Sequence, residues 1–286
     1  MRQVRSQESR LPGIAALARR YDVFLLDQFG VLHDGAAPYP GAVDCLARLK
    51  DEGKRIALIS NSGKRSGPNE ERLVRLGFAP GSWDHFVSSG EVAWRRLAQM
   101  LAGGALSSGA RCLLISRDGD RSAVDGLTLR LVPEGSEADV VLLAASEGDR
   151  YEIGHYRKLL EPAARRGVPC YCTNPDKIML TATGRQFGAG RIAELYQELG
   201  GKVFWIGKPF AEIYRAALAL CGNPQPENVV CVGDSVEHDI AGGQASGLAT
   251  ALVATGILAD AGDAELTALF ERHDARPDYL LPAFTW

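Results

Sequence analysis

The chain has 286 residues, of which 46% are hydrophobic and 23% are charged. These values are typical of a soluble globular protein with one large domain or two moderate ones, and no apolar run reaches the length of a membrane span. Because the formal net charge is only −3, we expect neither nucleic acid nor an anionic membrane as a partner.

Short apolar runs alternate with amphipathic segments in the first and last parts of the chain. Runs rich in Val, Ile, Leu and Phe predict buried strands at Val23–Leu26, Ile56–Ile59, Phe86–Ser88, Val203–Ile206, Val229–Val232 and Thr250–Val253. Helices are predicted between them at Gly41–Asp51, Asn69–Leu76, Ala211–Leu220 and Val236–Ser246. This alternation predicts an α/β fold with a doubly wound, Rossmann-like parallel sheet and helices on both faces.

A second alternating unit occupies the middle of the chain. Its predicted elements are a helix at Glu91–Met100, strands at Arg111–Ile115, Thr128–Val132 and Val140–Ala144, a helix at Tyr151–Arg166 and a strand at Val168–Cys172. Because the pattern that resumes at Val203 continues the first one, we interpret the middle as an inserted α/β domain. The expected division is a core of residues 1–89 plus 191–286 and an inserted domain of residues 90–190.

The N-terminus and the cysteines both indicate a cytoplasmic protein. The first 20 residues contain arginines but no apolar stretch typical of a signal peptide. Most of the six cysteines lie inside apolar runs, where a reduced thiol packs as a small hydrophobic side chain. Cys170 and Cys172 could form a metal or redox pair, but no second cluster completes a zinc site. We therefore expect reduced structural cysteines.

Polar side chains follow four of the predicted strands, and in open parallel sheets ligands bind at the carboxyl ends of strands. In chain order these side chains are Asp27, then Ser60-Asn61-Ser62, then Lys208 within Gly207-Lys208-Pro209, then Asp234 with Asp239 five residues later. Each motif alone is common in turns and helix caps. Together they suit Mg²⁺, which takes carboxylate oxygens, and a phosphate, which takes lysine, hydroxyl and backbone N–H donors.

These motifs resemble those of the haloacid dehalogenase superfamily of aspartate-nucleophile phosphohydrolases. The segments GVLHDG, SNS, TNPD, GKP and GDSVEHDIAGGQASGLAT are similar to its class IIA branch, which includes p-nitrophenylphosphatase-like and sugar- or nucleotide-phosphatase-like proteins with a C2-type cap. The resemblance covers essentially the whole chain and includes Arg276-Pro277-Asp278-Tyr279, which is similar to the final strand of that branch. It implies a Mg²⁺-dependent phosphatase of small phosphorylated metabolites.

The resemblance also implies a role for each motif residue. Asp27 would attack phosphorus and form an aspartyl-phosphate, and Ser60 would donate a hydrogen bond to a phosphoryl oxygen. Lys208 would offset the charge shared between Asp27 and the phosphate. Mg²⁺ would be held by Asp27, Asp234 and the backbone carbonyl of Phe29, while Asp239 would orient metal-bound waters or Lys208.

Further implied contacts involve the substrate. Asn61 would bind it beside Ser60, and the loop Thr173-Asn174-Pro175-Asp176 of the cap would reach the catalytic cleft through Asn174 and Asp176. Pro and Asn together first indicate a turn at this loop. A cap over the cleft implies small soluble substrates, and the resemblance allows a homodimer formed through the cap.

Phe29 departs from the family pattern, which places an acid two residues after the nucleophile. That acid protonates the leaving oxygen and then activates water, whereas a phenyl ring carries no titratable proton. Losing general acid–base catalysis typically costs about 10²–10⁴-fold in rate. The sequence thus predicts a hydrolase that is slow or restricted to good leaving groups, such as aryl and acyl phosphates.

Three further interpretations stay open at this point. His33 or Asp34, just past the turn, could replace the missing acid, although a solvated or capping role is the simpler interpretation of His33. His238 is expected to be exposed on its helix rather than to bind a metal. A non-hydrolytic phosphate-ligand binder or regulator, favoured by Phe29, and a phosphotransferase are the alternatives to a phosphatase. The retained acids and lysine argue against a pure binder.

Overall fold

The structure is a computed structural model that describes residues 8–181 and 184–286. Strands and helices alternate along the chain, and the strands collect in two main sheets. Within the described residues, one compact unit comprises the chain up to Ser60, Glu70–Val87 and Lys208–Trp286, and a second comprises Asn61–Asn69 and Ser88–Gly207.

The first unit is built on a seven-stranded sheet. In spatial order its strands are β1 (Ser9–Arg10), β14 (Tyr279–Leu281), β13 (Ala249–Val253), β12 (Val229–Gly233), β2 (Val23–Leu26), β3 (Arg55–Ser60) and β4 (His85–Ser88). The pairs from β1 through β3 are all parallel. The carboxyl ends of β12, β2 and β3 therefore lie side by side at one edge of the sheet.

Both faces of this sheet are covered, because side chains along β13 and β14 alternate between two apolar clusters. Phe24 and Leu26 lie in one cluster, and Leu252 and Leu280 lie in the other. The helices of the unit are α1 (Ala15–Ala18), α2 (Ala42–Asp51), the last part of α3 (Ser66–Arg75), α7 (Ala211–Leu220), α8 (Ala241–Ala245) and α9 (Asp263–Arg272). Burial on both faces explains why these strands appear in the sequence as continuous apolar runs.

Among its described residues, the second unit contains a parallel five-stranded sheet, a two-stranded antiparallel sheet, three whole helices and the first turn of α3. The larger sheet has the order β11 (Val203–Trp205), β8 (Cys170–Cys172), β7 (Val140–Leu143), β5 (Arg111–Ile115) and β6 (Arg130–Leu131). The small sheet pairs β9 (Ile178–Thr181) with β10 (Gly184–Phe187), and the helices are α4 (Ser89–Ala102), α5 (Ile153–Arg165) and α6 (Ala189–Glu198). These elements share their own apolar core.

The prediction that Val203–Ile206 forms part of the core sheet is wrong. Val203–Trp205 pairs in parallel with Cys170–Cys172, so it is an edge strand of the second sheet. A short apolar run fits a strand of either sheet, and only the partner strand decides between them. The second unit consequently extends to Gly207, while the division into a core and an inserted domain of residues 90–190 stays a prediction.

The remaining expectations concern the thiols and the membrane. All six cysteines are buried and free, as expected for reduced structural residues. Burial raises the pKa of the Cys172 thiol to about 12, which keeps it protonated and unreactive. Across residues 8–181 and 184–286, we find no helix that combines the length and apolarity needed to cross a bilayer.

Candidate active site

Two acids leave adjacent parallel strands at the same edge of the seven-stranded sheet. Leu26 lies opposite Val232 in the β2–β12 register, and the N–H of Asp27 donates to the carbonyl of Val232 at 2.9 Å. Asp234 directly follows β12. The parallel arrangement therefore brings Asp27 and Asp234 together, as the spacing of the motifs predicts.

Lys208 lies between two carboxylates in a buried position. Its Nζ is 2.7 Å from Asp27 Oδ1 and 2.7 Å from Asp239 Oδ1. Burial alone would lower the pKa of Lys208, but the charges of Asp239 and Asp27 raise it well above its ordinary value. The ammonium group thus stays charged and links the two acids.

Asp239 is held by the backbone of its own motif. It lies in a π-helical turn, Val236–Ile240, that directly follows Ser235, and its Oδ2 accepts a hydrogen bond from the N–H of Ser235 at 3.1 Å. A Cβ at Gly233 would lie 2.0 Å from Asp239 Cγ, so the strand end needs a glycine there. The GDSVEHD motif thereby aims Asp239 at Lys208.

Asp234 is enclosed by two loops whose contribution the motif analysis did not identify. Its Oδ2 accepts from the N–H of Ile257 at 3.1 Å, and a Cβ at either Gly30 or Gly256 would lie 2.0 Å from that oxygen. Both glycines have positive φ, 85° and 60°. Thr255 Oγ1 donates to the carbonyl of Gly30 at 2.5 Å and joins the loops. Glycine just past a strand end was the available signal for these positions.

The three carboxylates form a cluster that could hold a metal ion. One ligand oxygen each from Asp27, Asp234 and Asp239 lies within 4.8 Å of the others, and all three residues are buried. Two unit charges at that separation repel by about 3–4 kcal/mol at an effective dielectric constant of about 20. One lysine cannot neutralise three such groups.

The protonation behaviour of the cluster points the same way. Burial raises the pKa of Asp27 to about 7, with Lys208 opposing the effect and Asp239 adding to it. Burial also raises the pKa of Asp234 to about 8, and the charges of Asp27 and Asp239 contribute. Carboxylates that bind protons this readily have too little positive charge around them, even with Lys208 beside Asp27. Hard oxygen donors with a charge deficit fit a divalent cation such as Mg²⁺.

Ser60 lies at the end of β3 and contacts a residue that the sequence analysis did not select. Leu26 lies opposite Leu58 in the β2–β3 register, and two further residues put Gln28 opposite Ser60. Gln28 Nε2 donates to Ser60 Oγ at 2.7 Å, and both side chains are buried. Strand register was the signal that could have found Gln28.

Phe29 lies on the exposed side of the turn after β2. Its ring is 42% exposed and makes an edge-to-face contact with the imidazole of His33, with centroids 5.6 Å apart. His33 is buried rather than solvated, and burial together with the nearby charge of Arg72 lowers its pKa to about 4. Asp34 Oδ1 accepts from the N–H groups of Ala36 and Ala37 and forms a turn.

The other predicted substrate contacts lie in the second unit and pair with one another. Asn61 Nδ2 donates to Asp176 Oδ1 at 2.8 Å. Asn174 Oδ1 accepts from the N–H of Asp176 at 3.2 Å, the hydrogen bond of a turn. His238 is not a member of the acidic cluster found among the described residues, and its Nδ1 lies 3.3 Å from Ser235 Oγ.

Comparisons with known proteins agree with this geometry. A family model for haloacid dehalogenase-like hydrolases matches residues 24–130, and a second model, for related hydrolases, matches residues 205–285. Human glycerol-3-phosphate phosphatase is 30% identical over 265 residues, which cover 85% of this chain and 81% of the relative. The chain belongs to the haloacid dehalogenase-like hydrolase family. Rat chronophin is 29% identical over 262 residues, covering 89% of this chain and 83% of the relative.

Solved structures extend the family assignment to the whole fold and to its class IIA branch. The p-nitrophenyl phosphatase from Archaeoglobus fulgidus has a TM-score of 0.74 and 28% identity, and the match covers 93% of this chain and 97% of that chain. The glycerol phosphate phosphatase of Mycobacterium tuberculosis has a TM-score of 0.71 and 26% identity, with 92% and 75% coverage. That relative was solved in complexes with magnesium and with calcium.

Proposed function

We propose that this haloacid dehalogenase-like hydrolase is a Mg²⁺-dependent phosphatase of small phosphorylated metabolites and that Asp27 is its nucleophile. The observation that carries the proposal is the Lys208 ammonium group, 2.7 Å from both Asp27 and Asp239 in a buried site. A lysine held in this way keeps one oxygen of Asp27 oriented. It also offsets negative charge where a phosphate dianion would arrive.

The proposed reaction has two steps. An oxygen of Asp27 bonds to phosphorus while the bond from phosphorus to the leaving oxygen breaks, which gives an aspartyl-phosphate and the departing oxyanion. Water then attacks phosphorus, the Asp27 carboxylate is released, and inorganic phosphate forms. Ser60 donates to a phosphoryl oxygen in both steps, and the Lys208 ammonium group keeps a positive charge beside Asp27 throughout.

Asp27, Asp234 and the backbone carbonyl of Phe29 are the groups proposed to hold Mg²⁺, with Asp239 orienting Lys208. The deficit of positive charge around the buried acids supports this assignment. When bound, the ion would supply charge that offsets the repulsion between a carboxylate and a phosphate dianion.

Phe29 supplies no general acid for the leaving oxygen, and neither His33 nor Asp34 takes over that role. His33 Nδ1 accepts a hydrogen bond from the N–H of Gly35, and its pKa of about 4 leaves the ring neutral near pH 7. Asp34 is engaged by two backbone N–H groups. The leaving group must then depart without a proton, which favours aryl and acyl phosphates over alkyl phosphates by about 10²–10⁴-fold.

The nature of the substrate and the state of assembly extend the proposal. Asn61, Asn174 and Asp176 are proposed to contact the substrate, and their mutual hydrogen bonds would keep them in fixed positions. A small phosphorylated metabolite remains the expected ligand. A homodimer and a cytoplasmic location stay predictions.

The test compares p-nitrophenyl phosphate, which has a good leaving group, with glycerol phosphate, which has a poor one. Both are assayed with and without Mg²⁺ on wild type, Asp27→Asn and Phe29→Asp. Asp44→Asn serves as the control, because Asp44 forms an exposed ion pair with Arg48. We expect Mg²⁺-dependent turnover of the aryl ester in wild type and Asp44→Asn, and none in Asp27→Asn.

Two results would contradict the proposal. Unchanged turnover in Asp27→Asn would reject the nucleophile. Turnover that is absent in wild type and appears only in Phe29→Asp would instead favour a non-hydrolytic phosphate-binding protein, the alternative that Phe29 supports.

A further inference from the structure

A chain of buried hydrogen bonds runs from the turn after β2 to the hydroxyl of Ser60. The N–H of Gly35 donates to His33 Nδ1 at 3.0 Å, and His33 Nε2 is 3.4 Å from Gln28 Oε1. Gln28 Nε2 in turn donates to Ser60 Oγ at 2.7 Å. The side chains of His33, Gln28 and Ser60 are all buried, so the two bonds between these side chains are protected from competing water.

The direction of each bond follows from the first one. Because Nδ1 of His33 accepts from Gly35, the ring of a neutral imidazole carries its proton on Nε2. Nε2 then donates to Gln28 Oε1, which leaves the amide nitrogen of Gln28 facing Ser60. Ser60 Oγ accepts that bond, so its own hydrogen is directed toward a different acceptor.

The turn itself keeps His33 in place. The N–H groups of Leu32 and His33 both donate to the carbonyl of Gln28, at 2.8 and 3.2 Å. The ring of Phe29 covers the outer side, since a Cβ on Gly35 would lie 2.8 Å from Phe29 Cε2. The phenyl ring that replaces the family's acid therefore packs over the imidazole and shields it.

The charge state of the imidazole agrees with this direction of bonding. Burial lowers the pKa of His33, and Arg72 on α3 adds to the effect while Asp34 opposes it. A neutral ring can accept from Gly35 through Nδ1, whereas a protonated ring cannot.

We propose that Gln28 and His33 are positioning residues that make the Ser60 hydroxyl a dedicated donor to a phosphoryl oxygen. The inference rests on the proposed function, because it takes a phosphate as the acceptor of that bond. Neither residue needs to touch the substrate. Their effect passes through the orientation of one hydroxyl.

The experiment measures the affinity for inorganic phosphate by calorimetry in the presence of Mg²⁺, together with kcat/KM for p-nitrophenyl phosphate. The variants are Ser60→Ala, Gln28→Glu, Gln28→Met and the double variant Gln28→Met/Ser60→Ala. In Gln28→Glu a carboxylate faces Ser60 and accepts the hydroxyl hydrogen, so this near-isosteric change reverses the bond. Gln99→Met on exposed helix surface is the control.

We expect Gln28→Glu to weaken phosphate binding by about 10–100-fold, the range for losing a hydrogen bond to a charged group. Gln28→Met should weaken it by a smaller factor, because the hydroxyl is no longer oriented but can still turn toward the phosphate. Ser60→Ala should lose a factor similar to that of Gln28→Glu. The double variant should lose no more than Ser60→Ala alone, because Gln28 acts on phosphate only through the Ser60 hydroxyl. Fully additive losses, or phosphate affinity like that of wild type in both Gln28 variants, would overturn the proposal.

A second measurement, made on the wild type, tests the proposal even where a variant fails to fold. In the wild type, nitrogen chemical shifts of the histidine ring should place the proton of His33 on Nε2, and a proton on Nδ1 would overturn the proposal. His33→Gln, which retains a donor for Gln28, should keep phosphate affinity closer to that of wild type than His33→Leu does. Equal losses in the two variants would also count against it.

These readouts separate this inference from the proposed function. A wild type that binds phosphate but does not hydrolyse the aryl ester removes the phosphatase, while the phosphate affinities still decide the role of Gln28. A wild type that hydrolyses the ester, with Gln28 variants that bind phosphate normally, retains the phosphatase and removes the role of Gln28. A wild type that binds no phosphate removes both.

Discussion

The loop that encloses Asp234 gives a sharp prediction for Gly256→Ala. Gly256 has φ of 60°, and a Cβ there would lie 2.0 Å from Asp234 Oδ2 and 2.6 Å from the Cα of Gly30. Real Cβ contacts essentially never fall under 3.0 Å. The carboxylate must therefore move by about 1 Å or the loop must open, and either change breaks the bond from Ile257.

The expected size of the effect follows from what is lost. A hydrogen bond to a charged group contributes about 1.5–3 kcal/mol, which corresponds to about 10–100-fold in an equilibrium constant. If Asp234 is a Mg²⁺ ligand, the half-saturating concentration of Mg²⁺ should rise by about that factor. An alanine in left-handed backbone adds about 1–2 kcal/mol of strain, which lowers stability but not metal affinity.

The control is Gly247→Ala. Gly247 has φ of 76° and no atom within 4 Å of a built Cβ, so it shares the backbone strain without the clash. Mg²⁺ titrations followed by the hydrolysis of p-nitrophenyl phosphate and by melting temperature give the affinity. Both variants should be less stable, and only Gly256→Ala should bind Mg²⁺ weakly. Equal Mg²⁺ affinity in wild type and Gly256→Ala would refute the reasoning.

Three further predictions concern the charges and Phe29. Lys208→Met should abolish turnover. Without Mg²⁺ it should also lower the free energy of unfolding, measured by denaturant titration, by about 3–5 kcal/mol, because it leaves buried carboxylates unpaired. The control Lys50→Met, which breaks a more exposed ion pair with Asp84, should lower the free energy of unfolding by about 1 kcal/mol or less. Equal losses would contradict this. The pKa values of Asp27 and Asp234 are raised to about 7 and about 8, so the metal-free folded state keeps protons that the unfolded state releases near pH 4. The stability of the metal-free protein should therefore fall as the pH rises from about 4 to about 8. Since Mg²⁺ requires the ionised carboxylates, the gain in melting temperature on adding it should grow from about pH 5 to about pH 8, and a gain independent of pH would argue against the site. Phe29→Asp should raise kcat/KM for glycerol phosphate, which reports formation of the aspartyl-phosphate, by about 10²–10⁴-fold and change kcat/KM for p-nitrophenyl phosphate far less; equal changes in kcat/KM for both esters would reject a missing general acid.

The sequence was sufficient to predict the arrangement of the acids. Apolar runs identified β2, β3, β12 and β13, and a parallel sheet necessarily brings the ends of neighbouring strands to one edge. The structure accordingly places Asp27, Asp234 and Asp239 within one cluster and puts Lys208 against it.

Other features depend on contacts that a local pattern does not encode. The run at Val203–Trp205 is equally apolar in either sheet, and its partner Cys170–Cys172 lies about thirty residues away in the chain. Gln28 resembles any polar residue of a turn until the β2–β3 register puts it opposite Ser60. Gly256 and Ile257 reach Asp234 only because β13 lies next to β12.

The most direct test of the account asks whether Asp27 carries the phosphoryl group. The enzyme is mixed with Mg²⁺ and p-nitrophenyl phosphate, quenched in acid at short times and digested, and the peptide containing Asp27 is examined by mass spectrometry. Because Phe29 supplies no base for the attacking water, the aspartyl-phosphate should form faster than it breaks down. We predict a burst of nitrophenol and a phosphoryl group on Asp27. Turnover with Asp27 unmodified, and still present in Asp27→Asn, would contradict the account.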